Sequence, residues 1–224
     1  MAAGRPSLSN RYPGYDVLAK YGSSSWNDQT RRVIDERLAI RADAHRFLTD
    51  AEWVTLKAVC ARIVPQPPER IRPAPIAAMI DRKLAADAGD GYRDARLPPL
   101  REAWRRALHA LDAEARALRG CLFSEMSCAD QDALLSAVQR GEAHDVSWGN
   151  MPPELFFAKR LLHDASSAYY ADPHAWNEIG FGGPASPRGY VRMNYDRRDP
   201  WEASEAHPGR EARALRENTR VGRR

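Results

Sequence analysis

The chain has 224 residues, 43% hydrophobic and 29% charged, with a formal net charge of +4. This is the balance of an ordinary globular protein of one domain with extensions, and it excludes a collagen-like, disulfide-dense or largely disordered class. No run of 18 apolar residues exists, so no membrane-spanning helix is expected, and the N-terminus lacks the apolar core of a secretory signal.

Residues 1–24 read as an N-terminal arm. Arg11-Tyr12-Pro13-Gly14-Tyr15 and Gly22-Ser23-Ser24-Ser25 are turn chemistry, with Tyr12, Tyr15, Val17, Leu18 and Tyr21 as anchors. A helix is expected from about Asn27 to Ala42, with Val33, Ile34 and Leu38 on one side. Arg31-Arg32 precedes charged helical sequence rather than an apolar stretch, so it is no export signal. A second helix opens on the capping box Thr49-Asp50-Ala51-Glu52 and carries Trp53, Leu56, Cys60 and Ile63. Pro65 and Pro67-Pro68 stop it. A third begins at Pro75, with Ile76, Met79, Ile80 and Leu84 as its stripe.

The fourth helix follows Pro98-Pro99. Leu100, Trp104, Leu108, Leu111, Ala115 and Leu118 recur at steps of three and four, and Gly120 ends it. The fifth starts at Ser127 and ends at Gly141. The sixth, Pro153 to about Ala171, is apolar over so much of its circumference that a central position is expected. No segment shows a convincing period of two. The expected fold is all-α, a small bundle of about six helices.

Tyr169 to Trp201 then breaks every periodic pattern. It holds seven aromatic side chains in 33 residues, against 8% for the chain, punctuated by Gly180, Gly182, Gly183 and Gly189 and by four prolines. A stretch of this kind is a partner surface, a lid over its own core or a small-molecule site. If it is a docking loop, 172–201, the residues expected to bind are Tyr170, Trp176, Asn177, Glu178, Phe181, Gly182, Gly183, Arg188, Gly189, Tyr190 and Trp201. The body, 25–206, is expected to be one domain. The tail, 207–224, holds six arginines and two glutamates, a surplus equal to the whole-chain charge. It reads as a basic disordered extension, and the near-neutral body argues against a nucleic-acid platform.

Catalytic and cofactor motifs are missing. There is no C-x-x-C-H, no set of four thiolates, no G-x-G-x-x-G between strand and helix, and no G-x-x-x-x-G-K. Cys60 reads as a buried hydrophobe, and Cys121 and Cys128 as a pair to be bridged only under oxidising conditions. His163-Asp164 offers a base with an orienting carboxylate, but neighbouring helix positions point apart. The site expectation is therefore no catalytic, cofactor or metal residues, and an interaction role. Two rivals stand beside it: an enzyme with its site under the aromatic loop, and a basic-tailed nucleic-acid-associated protein.

Three stretches resemble a known family. Tyr169-Tyr170-Ala171-Asp172-Pro173, Trp176 to Pro184 and Pro187-Arg188-Gly189-Tyr190 are similar to the C-terminal signature of gluconate 2-dehydrogenase subunit 3. Phe47-Leu48-Thr49-x-x-Glu52 with Val64-Pro65, and Ser127-x-x-Asp130-x-Asp132-x-Leu134-Leu135, resemble its helical part, so that the similarity covers roughly residues 44–203. The resemblance implies a non-catalytic accessory subunit that supports folding, maturation or export of a large FAD-dependent dehydrogenase of the glucose–methanol–choline type, which oxidises a sugar or polyol and is often joined by a cytochrome c subunit. It implies FAD in the partner and no cofactor in this chain. Many members carry a twin-arginine export signal. This sequence departs from that, so the expected location is cytoplasmic, or periplasmic through co-export with a signal-bearing partner.

Overall fold

The computed structural model describes residues 11–184 and 201–221. Among these, every regular element is helical. The α-helices are α1 (Asp28–Leu38), α2 (Asp50–Ile63), α3 (Ile76–Ala85), α4 (Leu100–Arg119), α5 (Cys128–Arg140), α6 (Pro153–Phe156), α7 (Leu162–Ala171), α8 (Pro173–Ile179) and α9 (Glu211–Asn218), with a π-helical turn, Phe157–Leu161, joining α6 to α7, and short 3-10 turns at Val17–Lys20, Phe123–Glu125 and Val146–Trp148. None is long and apolar enough to cross a membrane.

Local chemistry sets most boundaries. The Thr49–Glu52 capping box forms as expected: the Glu52 amide donates to Thr49 Oγ1 at 3.3 Å and Thr49 N–H donates to Glu52 Oε2 at 2.8 Å. Ser127 caps α5 by accepting from the Asp130 amide at 3.2 Å. α4 is helical over the full length of its apolar stripe and ends at Gly120. Leu118 is the exception, since it lies on the solvent side of the last turn.

The chain divides into two compact units, residues 40–169 and residues 1–39 with 170–224. The larger unit packs α2 to α6 and most of α7 around Trp104, whose ring meets Phe156 edge-on at 5.3 Å. Leu56, Ile80, Leu84, Leu108, Leu111, Phe123 and Leu161 complete that core. Asp81, almost fully buried, accepts from the backbone N–H groups of Arg46, Phe47 and Leu48 at 2.6–3.1 Å, fixing the entry to α2.

The smaller unit is built from both ends of the sequence. Its core is Tyr15, Val17, Trp26, Ile34, Trp176 and Val221. Within the tail expected to be disordered, Glu211–Asn218 instead form α9, with Ala214, Asn218 and Val221 buried. Asn218 explains how a polar, arginine-rich stretch is held: its side-chain amide donates to the carbonyls of Pro13 and Ser204, and its Oδ1 accepts from Ser204 N–H at 2.6 Å. Those bonds and the three buried side chains offset the ordering entropy that charge composition alone leaves uncompensated.

Candidate functional site: the aromatic segment and a buried charge cluster

Part of the aromatic segment is helical. Asp172 caps α8 by accepting from the His174 amide at 2.8 Å, and Pro173 takes the first helical position, where its missing N–H costs nothing. The docking candidates divide by what they touch. Trp176 is 2% exposed; its indole Nε1 donates to the Tyr170 carbonyl at 2.6 Å and Phe181 packs edge-on against it at 5.5 Å. Asn177 Oδ1 accepts from Val17 N–H at 2.8 Å. The Gly182 carbonyl accepts from the buried Lys20 ammonium, which also lies 5.7 Å over the Trp26 ring.

Gly183 shows why a glycine is required. Its φ is +71°, and a Cβ there would stand 2.8 Å from Trp26 Cζ2 and 3.3 Å from both Trp176 Cζ3 and Val17 Cγ2. A Cβ on Gly180, also at positive φ, would meet the Tyr12 ring at 2.6 Å. These glycines let the segment close onto its own unit. Glu178 is half-buried, and the Trp201 carbonyl accepts from Tyr15 Oη at 3.4 Å. Arg188, Gly189 and Tyr190 lie outside the described residues. Tyr170 at 49%, Phe181 at 37% and Ile179 at 43% exposure remain on the surface.

A second constellation, in the larger unit, joins residues far apart in sequence. Asp164, whose side chain is 1% exposed, accepts from Trp104 Nε1 at 2.8 Å on one oxygen and from Lys83 Nζ at 2.9 Å on the other. Lys83 also reaches Asp90 at 2.6 Å, and Arg160 Nη1 lies 3.5 Å from the same carboxylate. His163 Nδ1 lies 3.2 Å from Asp164 Oδ1 and 3.9 Å from Asp90 Oδ2. The dyad expected to point apart is therefore in contact, because Asp164 is short and held inward by Trp104 while the ring of His163 lies back over it. The π turn immediately before it supplies Arg160, and such turns recur where a helix must re-aim side chains.

Asp90, His163 and Asp164 bring their ligand atoms within 4.8 Å of one another, a spacing a metal ion could use. The cation bound there is Lys83, whose ammonium bridges both carboxylates. Burial pulls the Lys83 pKa down, but its bonds to Asp90 and Asp164 outweigh that and leave it raised. Burial likewise pushes Asp90 up, and the Lys83 ammonium more than reverses this, holding the carboxyl below its usual range. Lys83 thus bridges Asp90 and Asp164, and Arg160 brings a second cation 3.5 Å from Asp90. Sequence reading saw only His163-Asp164, because Lys83 and Asp90 arrive from the other end of the unit.

The cysteines are free. Cys60 is buried, which pushes its thiol up to about 12, while Cys121 and Cys128 are not bridged.

A family model for gluconate 2-dehydrogenase subunit 3 matches residues 50–183, more than half of the chain. The chain belongs to that family. The matched span runs from the first turn of α2, through the helices that frame Trp104 and Asp164, to the glycine pair that closes over Trp176. The gluconate 2-dehydrogenase subunit 3 match thus ends on Gly183, the residue whose Cβ Trp26 and Trp176 exclude. Neither the comparison with curated proteins nor that with solved structures returned a match.

Proposed function

We propose that this subunit 3 protein is a non-catalytic accessory subunit that binds a large FAD-dependent dehydrogenase of the glucose–methanol–choline type, acting on gluconate or a related sugar or polyol, and supports its folding, maturation or export. The observation that carries this reading is the family match over 50–183. The charged cluster agrees with it: Lys83, Asp90, Arg160 and Asp164 are spent on one another, which is the arrangement of a scaffold and not of a poised acid or base. FAD belongs to the partner in this reading.

The aromatic segment contributes in two ways. Trp176, Asn177, Gly180 and Gly183 build the smaller unit, and Tyr170, Ile179 and Phe181 form the apolar surface offered to the large subunit. Interface energy concentrates in a few aromatic side chains that become fully buried on binding. The test is co-expression with the large FAD-binding subunit. The wild-type chain should co-purify with it and raise its yield of FAD-loaded protein. Tyr170→Ala with Phe181→Ala should weaken that association by roughly tenfold or more, about 1.4 kcal/mol. A large subunit that loads FAD equally well alone, and does not co-purify, would overturn the reading.

A further inference from the structure

A groove of 490 Å³ opens in the larger unit where α2 ends and α3 begins. Its walls are unusually stiff. Pro65, Pro67, Pro68, Pro73 and Pro75 line it, each with φ fixed by its ring. The Gln66 side chain closes the connection between them, donating to the Ala74 carbonyl at 3.0 Å and accepting from Ala74 N–H at 2.7 Å. The loop is therefore held in one conformation by covalent rings and a double hydrogen bond. The floor is apolar, including the buried Cys60.

The polar groups at the rim carry one sign of charge. Lys57 and Arg62 line the groove, and no lining residue is acidic. Arg62 is held by Asp132 at 2.5 Å. Lys57 is exposed, lies 5.6 Å over the Trp53 ring, and has no carboxylate within 4 Å among the described residues. An apolar, preformed trough with a cation at its lip is complementary to an extended chain that presents an apolar side chain beside a carboxylate. Rigid walls favour such an occupant, because little conformational entropy is lost when it docks.

We propose that this groove receives an extended segment of the large dehydrogenase subunit, one bearing an apolar side chain next to an aspartate, a glutamate or a terminal carboxylate. The proposal rests on the accessory-subunit reading and adds to it a second contact, in the larger unit, independent of the aromatic segment.

The experiment co-expresses the large FAD-binding subunit with wild-type chain, Ala61→Trp and Lys57→Glu. Ala61 is an exposed lining residue on α2, so a tryptophan there fills the groove without entering the core. Both variants should melt as the wild type does. Ala61→Trp should weaken capture of the large subunit by roughly tenfold or more, and Lys57→Glu should weaken it and flatten its salt dependence. If wild type captures the large subunit and both variants do so equally well, the groove assignment is wrong while the accessory reading stands. If wild type captures nothing, the accessory reading falls and the groove proposal falls with it. If Ala61→Trp instead abolishes a concentration-dependent dimer and leaves capture intact, the groove is a self-interface and the proposal is overturned. Should Ala61→Trp melt early, Lys57→Glu decides alone.

Discussion

The indole Nε1 of Trp176 donates to the backbone carbonyl of Tyr170 at 2.6 Å, across the Asp172-Pro173 break between α7 and α8. The bond satisfies a buried indole, locks the first turn of α8 and turns the Trp176 ring toward Trp26, Val17 and Gly183. The most conspicuous aromatic of the segment is thereby committed to the protein's own core.

Truncation should show this. Trp176→Ala should destabilise the smaller unit by about 3–5 kcal/mol, the usual cost of removing a large aromatic from a core. Chemical denaturation followed by far-ultraviolet circular dichroism would measure it. A variant that unfolds with the wild-type midpoint would mean that the ring contributes no packing.

Gly183→Ala tests the close approach from the opposite side. The added methyl meets Trp26 at 2.8 Å in a left-handed backbone region, so strain adds to the clash. A loss of about 1–3 kcal/mol is expected, detectable as a lowered denaturant midpoint. An alanine at Gly182, where the nearest atom is the Lys20 Nζ at 3.4 Å, should cost less and serves as the control.

Deletion of residues 207–224 should lower the melting temperature by several degrees. It removes the buried Ala214, Asn218 and Val221 and leaves the Ser204 amide without its acceptor. In a chain of this size each kcal/mol shifts the midpoint by roughly 2–4 °C. Differential scanning calorimetry gives the answer, and an unchanged midpoint would mean that α9 does not contribute to the unit's stability.

The Lys83–Asp90 pair should confer stability over a window bounded on both sides. Asp90 is depressed in the folded state, so its contribution is present above the unfolded carboxylate pKa and lost as pH falls through the folded value. Lys83 is raised, so its contribution is complete below the unfolded lysine pKa and lost as pH rises through the folded value. Asp90→Asn should therefore lower the melting temperature at neutral pH and reduce the acid limb of the profile. Asp164→Ala should cost more, about 1–3 kcal/mol, because it leaves the buried Trp104 indole without its acceptor and the Lys83 ammonium with Asp90 alone. Melting curves from acid to alkaline pH for both variants would check the signs.

What could be read in the sequence was local. The α2 capping box, the α4 stripe from Leu100 to Ala115 and the Ser127 start of α5 depend on interactions within one or two turns, and all three form as their spacing requires. The family signature was legible for a similar reason: Trp176, Gly180, Gly182 and Gly183 stand close together in the chain. Their roles were not legible. A glycine needed for a partner's approach and a glycine needed for Trp26 look identical in a string of letters, since only the position of the neighbouring ring distinguishes them.

The remaining features were decided by tertiary structure. Lys83, Asp90, Trp104 and Asp164 come from four different segments, and no spacing rule links them. Asn218 turned an arginine-rich end into a docked helix through bonds to Pro13 and Ser204, residues that close a loop spanning almost the whole chain. Periodicity encodes which face of a helix is apolar, because that is a property of 3.6 residues per turn. It does not encode which distant carbonyl, ring or ammonium will meet a side chain. That choice is made as each unit packs its own core, where the desolvation of an unpaired Asp164 or Trp176 makes every arrangement but the paired one too costly.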